Sequence, residues 1–427
     1  MLLLALACAP EAPADRPPNV ILIAMDTVRW DATTPGGAEG ATPNLEAFAA
    51  LPGATTYTRA WAAAAWSLPS YVSVFTGQSV RAHQVGFSLD SLPPGQPTLA
   101  EMLGAYGYTS AGWSSGPHLA PDTGVGRGFD RWNHQVEFTS MAGFVEPALA
   151  WATEQEDPFL LFVQGYDAHM PYSAPSAVAE HFDHPDNARP DLACAGRRNA
   201  TCPSNVKLAK ARGGPGQSTI DPREVEHYQS HYKAAVYTSD HQLGRMLYGL
   251  DQRGLLNDSV VVVFSDHGEL VGDERIGDSV FHVPLVVRIP TDAPPTRSDG
   301  LVSLTDLLPS LAGELGLVAP AGIDGVPLAD RDVLIAAAVT TWCVRDEDWE
   351  LEVPRNDPDN PVLRVPGTTV PIEDRPDEVA ELAAHLEGWP LLVQAGEEQV
   401  RHGPDNPQLR EALREGGYWA PPPEEEP

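Results

Sequence analysis

Two runs of this chain, Asn19 to Met25 (NVILIAM) and Ser259 to Phe264 (SVVVVF), are apolar at every position after the first. A strand open to water on one face alternates polar and apolar residues. One that is apolar throughout must be covered on both faces, which is the condition of a parallel strand with helices on either side. Each run leads into an acidic residue, Asp26 after the first and Asp266 shortly after the second. Ligands of open α/β sheets bind beyond the carboxyl ends of the strands, so the pattern brings two carboxylates to that edge.

The rest of the chain supports the same class. Gly107 to Trp113, Phe159 to Gly165 and Pro284 to Ile289 read as further strands, and Asp332 to Thr340 as a later one. Thr98 to Ala105, Phe144 to Glu154, Tyr228 to Arg253 and Leu304 to Gly316 have the apolar spacing of helices. This alternation predicts an α/β fold, a doubly wound sheet with helices on both faces. No repeat of solenoid or propeller length is present. Residues 19–328 form the expected catalytic domain, interrupted by a polar, Pro/Gly-rich insertion over 174–224. Connections of that length are functional or disordered. Beyond Leu328 the pattern weakens, and 329–427 reads as a smaller C-terminal subdomain with short helices at Glu378 to Gly388 and Pro407 to Glu415. Its acidic Pro/Glu tail, Pro421 to Pro427, has the composition of disorder.

The chain has 427 residues, with 27 Lys and Arg against 59 Asp and Glu, a formal net charge of -32. Such a balance excludes nucleic acid and anionic membrane surfaces as partners, because both are bound through basic clusters. The amino terminus, Met1 to Cys8, is too short to span a bilayer, which takes about 20 apolar residues. Leu6-Ala7-Cys8, followed by the Pro/Ala/Glu linker Ala9 to Pro18, resembles the end of a bacterial lipoprotein signal with Cys8 as the lipidated residue. The expectation is an exported protein, periplasmic or anchored at the outer membrane. Cys194 and Cys202 are spaced for a small disulfide, a bond that persists in oxidising compartments. Two free surface thiols are the alternative, and Cys343 reads as a lone buried thiol.

Three islands carry the chemistry. Ser67-Leu68-Pro69-Ser70 opens a helix, with Pro69 in the first turn where a missing amide donor costs little. Ser67 then lies at a helix amino terminus, which favours an alkoxide and an anionic substrate. The alternative is that Ser67 only caps the helix. Asp266-His267 offers a carboxylate and an imidazole on adjacent residues, converging where Gly268 permits a turn. One divalent metal ion held by Asp26, Ser67, Asp266 and His267 would lower the pKa of the Ser67 hydroxyl. The His ligand points to zinc or manganese, although calcium, which takes oxygen ligands almost exclusively, stays open. His169, beyond the Phe159 to Gly165 strand, could donate to a substrate oxygen or protonate a leaving group near neutral pH. Arg275 and His83 are candidates for holding the anion, and Arg29 reads as a structural ion-pair partner.

In this order the islands resemble the sulfatase family of the alkaline phosphatase superfamily over roughly residues 18–325. The similar segments are Pro18 to Arg29, Thr42-Pro43-Asn44-Leu45, Ser67-x-Pro-Ser with Thr76-Gly77, Asp167-x-His169-x-Pro171, Asp266-His267-Gly268-Glu269, and Val283-Pro284-Leu285. Pro407 to Arg414 with Gly416-Gly417-Tyr418 is similar to the tail helix of many members. The resemblance implies an alkaline-phosphatase-like fold, a divalent metal, a small anionic ester as substrate and a covalent intermediate on Ser67. The chain also departs from the pattern. Tyr71 stands where sulfatases that convert their nucleophile to formylglycine require Arg, and Thr27 where the family places a second acidic ligand. Gly112-Trp113-Ser114-Ser115 replaces the Gly-Lys-Trp-His segment, and Asp273 to His282 is a shortened stretch that implies a trimmed anion pocket. These departures point toward an unmodified Ser67 and toward phosphate as well as sulfate esters. Two alternatives stay open, a phospho-group transferase on the same scaffold and an inactive lipoprotein binding module.

Overall fold

The computed structural model describes residues 16–86, 90–170, 172, 174–182, 222–271, 277–328, 331–338, 341–354, 358–365 and 368–387. In chain order the strands of the main sheet are β1 (Asn19–Met25), β2 (Ala54–Trp61), β3 (Thr109–Ser115), β4 (Arg131–Gln135), β5 (Phe159–Gly165), β6 (Ser259–Phe264), β7 (His282–Arg288) and β8 (Thr296–Ser303). They lie in the order β4-β3-β5-β1-β6-β7-β2-β8. All run parallel except β7, which is antiparallel to both of its neighbours.

The uniformly apolar runs lie where their composition requires. β1, β5 and β6 occupy the centre of the sheet and are buried at every residue. Val20, Leu22 and Ala24 join the core on one face with Leu68, Tyr71 and Phe75 of the Ser67–Thr76 helix. Ile21, Ile23 and Met25 join the core on the other with Tyr232, Val236 and Met246 of the long Pro222–Gln252 helix. The expected helices recur at Leu99–Ala105, Val145–Thr153 and Leu307–Glu314, the last preceded by a 3-10 turn over Leu304–Asp306. Inside the 174–224 insertion the described part holds the Ser176–Phe182 helix and the first residues of the Pro222–Gln252 helix.

A second sheet follows, with β9 (Leu334–Ala337), β10 (Thr341–Arg345), β11 (Glu350–Pro354), β12 (Val362–Val365) and β13 (Thr368–Val370), antiparallel in sequential order. The Pro376–Ala384 helix packs on it through Leu382. This small sheet reaches the main one at a telling place. The Ala65 amide donates to the Ala337 carbonyl at 2.9 Å, and the Ala337 amide to the Ala63 carbonyl at 3.0 Å, so β9 fixes the segment just before Ser67. Cys343 is a buried free thiol, as expected.

The 1–15 segment with Cys8, the Cys194 and Cys202 pair, Arg275, and the Pro407 to Glu415 helix lie outside the described residues. Among the described residues no helix is long and apolar enough to cross a membrane.

Leu22, at the middle of β1, has no exposed surface. Leu22→Ala should cost about 2–5 kcal/mol of stability, the transfer term plus the cavity left behind, read as a lowered midpoint in equilibrium urea unfolding. A wild-type midpoint would contradict the two-sided burial of β1.

Candidate active site

Because β3, β5, β1 and β6 are adjacent and parallel, whatever follows them emerges at one edge. Asp26 follows β1 directly, Asp266 and His267 follow β6, His169 follows β5, and His118 follows β3 on a 3-10 turn over Pro117–Leu119. Parallel to them, β2 ends at Trp61 and leads to Ser67 at the same edge.

Ligand atoms of Asp26, Asp266 and His267 all lie within 4.8 Å of one another, and all three residues are buried. Asp26 Oδ2 accepts from Gln164 Nε2 at 3.1 Å and from the Tyr71 hydroxyl at 3.3 Å. Asp266 Oδ1 accepts from the Thr27 amide at 3.2 Å. The remaining oxygens, Asp26 Oδ1 and Asp266 Oδ2, are buried with no hydrogen-bond partner among the described residues. Burial, then the charge of Asp266, raises the Asp26 carboxyl well above the usual carboxylate range, with the Gln164 and Tyr71 hydrogen bonds opposing. His267 Nδ1 donates to the Gly268 carbonyl at 2.7 Å, which leaves the Nε2 lone pair 3.4 Å from Asp266 Oδ2. Two buried orphan carboxylate oxygens and an oriented imidazole lone pair fit a divalent cation, because bare buried charge is otherwise costly.

Ser67 Oγ lies 3.3 Å from His267 Nε2. The helix cap is Trp66, in extended conformation, and no side chain makes a capping bond there. Ser67 is the first helical residue, its hydroxyl sits at the cluster, and the capping alternative falls away. The helix is pinned to β6 by Ser70 Oγ donating to the Asp266 carbonyl at 2.6 Å. The turn after Asp266 is not made as the sequence suggests. Gly268 has no left-handed backbone, and a glycine is needed there because a Cβ would come within 2.2 Å of the Ser279 carbonyl oxygen. The left-handed residue is Thr27, at φ 58°, a conformation that is strained for a β-branched side chain. Its amide binds Asp266, and its carbonyl accepts from the Tyr232 hydroxyl at 2.8 Å.

His169 is buried, bonds through Nδ1 to the Met170 carbonyl, and lies against Phe138 and Tyr166. Burial pushes its pKa down to about 4, with the charges of Glu269 and Asp266 opposing and that of His267 assisting. Burial thus disposes the ring toward its neutral form, with the Nδ1 proton on the Met170 carbonyl. His83 corrects the expectation of a residue that holds the anion. Both of its ring nitrogens are engaged, Nε2 with Ser73 Oγ at 2.9 Å and Nδ1 accepting from the Val85 amide at 3.0 Å. It braces the back of the Ser67 helix and has no surface for an anion. Arg275 lies outside the described residues. Arg29 pairs with Asp31 at 2.7 Å, as expected of a structural partner.

His118 is the residue the sequence reading missed. It is buried, and its pKa is lowered to about 3 by burial and then by the charges of His169 and His267, so three imidazoles share the site. The signal was Gly116-Pro117, a turn at the strand end. Gly116 sits at φ 81°, and a Cβ there would strike the Tyr166 ring at 2.3 Å.

The model of the family described as Sulfatase matches residues 18–317. An ulvan-active sulfatase from Formosa agariphila is 25% identical over 371 residues, 74% of this chain and 67% of that protein. An arylsulfatase from Clostridium perfringens is 24% identical over 394 residues, 76% of this chain and 80% of that one. Among solved structures, the phosphonate monoester hydrolase of Agrobacterium radiobacter superposes with a TM-score of 0.70 at 20% identity, covering 87% of this chain and 94% of that one. That likeness speaks for the fold.

His83, with its pKa lowered from 6.5 to about 3 by burial, makes a prediction about pH. Between those values the unfolded chain binds a proton that the folded chain refuses, so stability falls as pH is lowered through this window. Asp26 acts in the opposite sense, since its raised pKa favours the fold at low pH. Comparing His83→Gln with wild type isolates the histidine. The variant should lose stability less steeply between pH 6 and 4, by about 1.4 kcal/mol per pH unit, in denaturant midpoints. Parallel slopes would contradict this.

Proposed function

The chain belongs to the sulfatase family, and from that premise we propose that it cleaves a small anionic sulfate or phosphate ester with the Ser67 hydroxyl as nucleophile. The observation that carries this is the position of Ser67 Oγ, at a helix amino terminus and 3.3 Å from His267 Nε2, beside two buried carboxylate oxygens that have no hydrogen-bond partner among the described residues. A divalent ion held by Asp26, Asp266 and His267, zinc or manganese by the chemistry of the ligand set, would lower the pKa of the Ser67 hydroxyl and offset the charge of the ester oxygens.

Ser67 loses its hydroxyl proton to water as Oγ attacks the sulfur or phosphorus. A bond forms to Oγ while the bond to the alcohol oxygen breaks, which leaves a serine ester. The free amides at the start of the Ser67–Thr76 helix stabilise the negative charge. His169 is neutral until the anionic ester arrives. The substrate's charge raises its pKa, and a proton taken up on Nε2 can be given to the departing alcohol oxygen. Water then cleaves the serine ester, releasing the inorganic anion and restoring the hydroxyl.

Ser67 acts as serine in this reading, because Tyr71 stands where formylglycine formation needs Arg, and an alkoxide suits a phosphorus centre as well as a sulfur one. The fold neighbour from Agrobacterium radiobacter is itself a phosphonate monoester hydrolase, which supports keeping both centres in view. Leu6-Ala7-Cys8 supports an exported, lipid-anchored enzyme.

Ser67→Ala should lower kcat/KM by about 10³-fold or more while keeping the bound metal and the melting temperature, and Asp266→Asn should lose metal and activity together. Wild-type turnover in the serine variant would end the nucleophile assignment. A matched pair, an aryl sulfate and the corresponding aryl phosphate assayed with manganese or zinc, decides the centre attacked. A kcat/KM ratio favouring phosphate is expected, and one favouring sulfate would overturn the preference.

A further inference from the structure

Tyr71 occupies the second turn of the Ser67–Thr76 helix without any exposed surface. Its ring is fixed on three sides. Phe162 and Phe264 meet it edge-on at 5.7 and 6.3 Å, and Phe75 stacks at 6.4 Å. The hydroxyl therefore has one place to go, Asp26 Oδ2 at 3.3 Å. Gln164 Nε2 reaches the same oxygen at 3.1 Å, and the amide is oriented because Oε1 accepts from the Ser115 amide at 3.1 Å. Two donors thus converge on one carboxylate oxygen, while the other, Oδ1, is buried in the ligand cluster with no partner among the described residues.

We propose that Tyr71 is a positioning residue that, together with Gln164, holds Asp26 to coordination through a single oxygen and thereby selects a small divalent ion such as manganese over calcium. The inference rests on the metal centre of the preceding section and adds to it the origin of metal choice. Calcium takes six to eight oxygens and commonly uses carboxylates through both. A carboxylate with one oxygen already committed to two donors has only the other to give. A smaller ion that accepts an imidazole ligand loses nothing by this. Outer groups that orient a ligand typically change metal affinity by about 10–100-fold.

The test uses the full-length protein stripped of metal, as wild type, Tyr71→Phe, Gln164→Leu and Asp26→Asn. Each is titrated separately with manganese, followed by the electron paramagnetic resonance of the free ion, and with calcium, followed by calorimetry. Circular dichroism and melting check the fold. In Tyr71→Phe, manganese affinity should fall by about 10-fold or more while calcium affinity falls less or rises, so that the manganese-to-calcium ratio drops. Gln164→Leu should shift the ratio in the same direction, and it carries the test alone if the tyrosine variant does not fold. A role confined to packing would lower melting temperature without moving the ratio. Unchanged ratios in both variants, with wild type binding manganese and Asp26→Asn failing to, would overturn the positioning role of Tyr71 and Gln164 and leave the metal centre standing. A wild type that binds manganese no better than Asp26→Asn would overturn the metal centre and this proposal with it.

Discussion

The site depends on two carboxylates, Asp26 and Asp266, held close together and out of water at the ends of neighbouring parallel strands. The register that pairs Ala24 of β1 with Phe264 of β6 brings them there, and nothing about packing would favour the result. Burying one unpaired carboxylate costs several kcal/mol, and a second beside it adds repulsion. The surroundings reduce that cost only in part. Tyr71 and Gln164 satisfy one oxygen of Asp26, and the Thr27 amide one oxygen of Asp266. Even the strained backbone of Thr27 belongs to this arrangement, because it turns its amide toward Asp266. What is left over, one oxygen from each acid and the lone pair of His267, has the composition of a cation's ligand set.

Around this centre the scaffold fixes Ser67 from several directions. Ser70 ties the helix to the end of β6, His83 braces it from behind, and Gly77 closes it in the left-handed conformation. The small second sheet contributes at a distance from the chemistry, since β9 bonds to the Ala63 and Ala65 backbone just upstream of Ser67. A reacting group held this way has its reorganisation cost met during folding rather than during turnover.

The parts of the fold legible in the sequence were those under the strongest burial constraint. β1, β5 and β6 are covered on both faces, and their nearly continuous apolar runs marked both ends of each. The main-sheet strands overlooked, β2, β4 and β8, lie toward its two margins, where partial exposure admits polar residues and weakens the signal, as RWNHQ in β4 shows. The antiparallel direction of β7 left no mark, because burial on both faces requires the same residues in either direction. Asp26, Ser67, Asp266 and His267 were legible because each sits at an element boundary with its own punctuation. His118 was not, since a 3-10 turn has no period to reveal it. Sequence shows that an imidazole is present, whereas burial and partners decide whether it carries charge, and in His83 and His169 both hold it neutral.

The most direct measurement is the anomalous-difference density of crystals grown with manganese, collected on either side of the manganese absorption edge. A single peak bounded by Asp26 Oδ1, Asp266 Oδ2 and His267 Nε2, with unmodified serine density at Ser67 facing it, is the expected result. An empty site at full manganese saturation, or a peak held by other residues, would contradict the reading of this cluster as the metal centre of the enzyme.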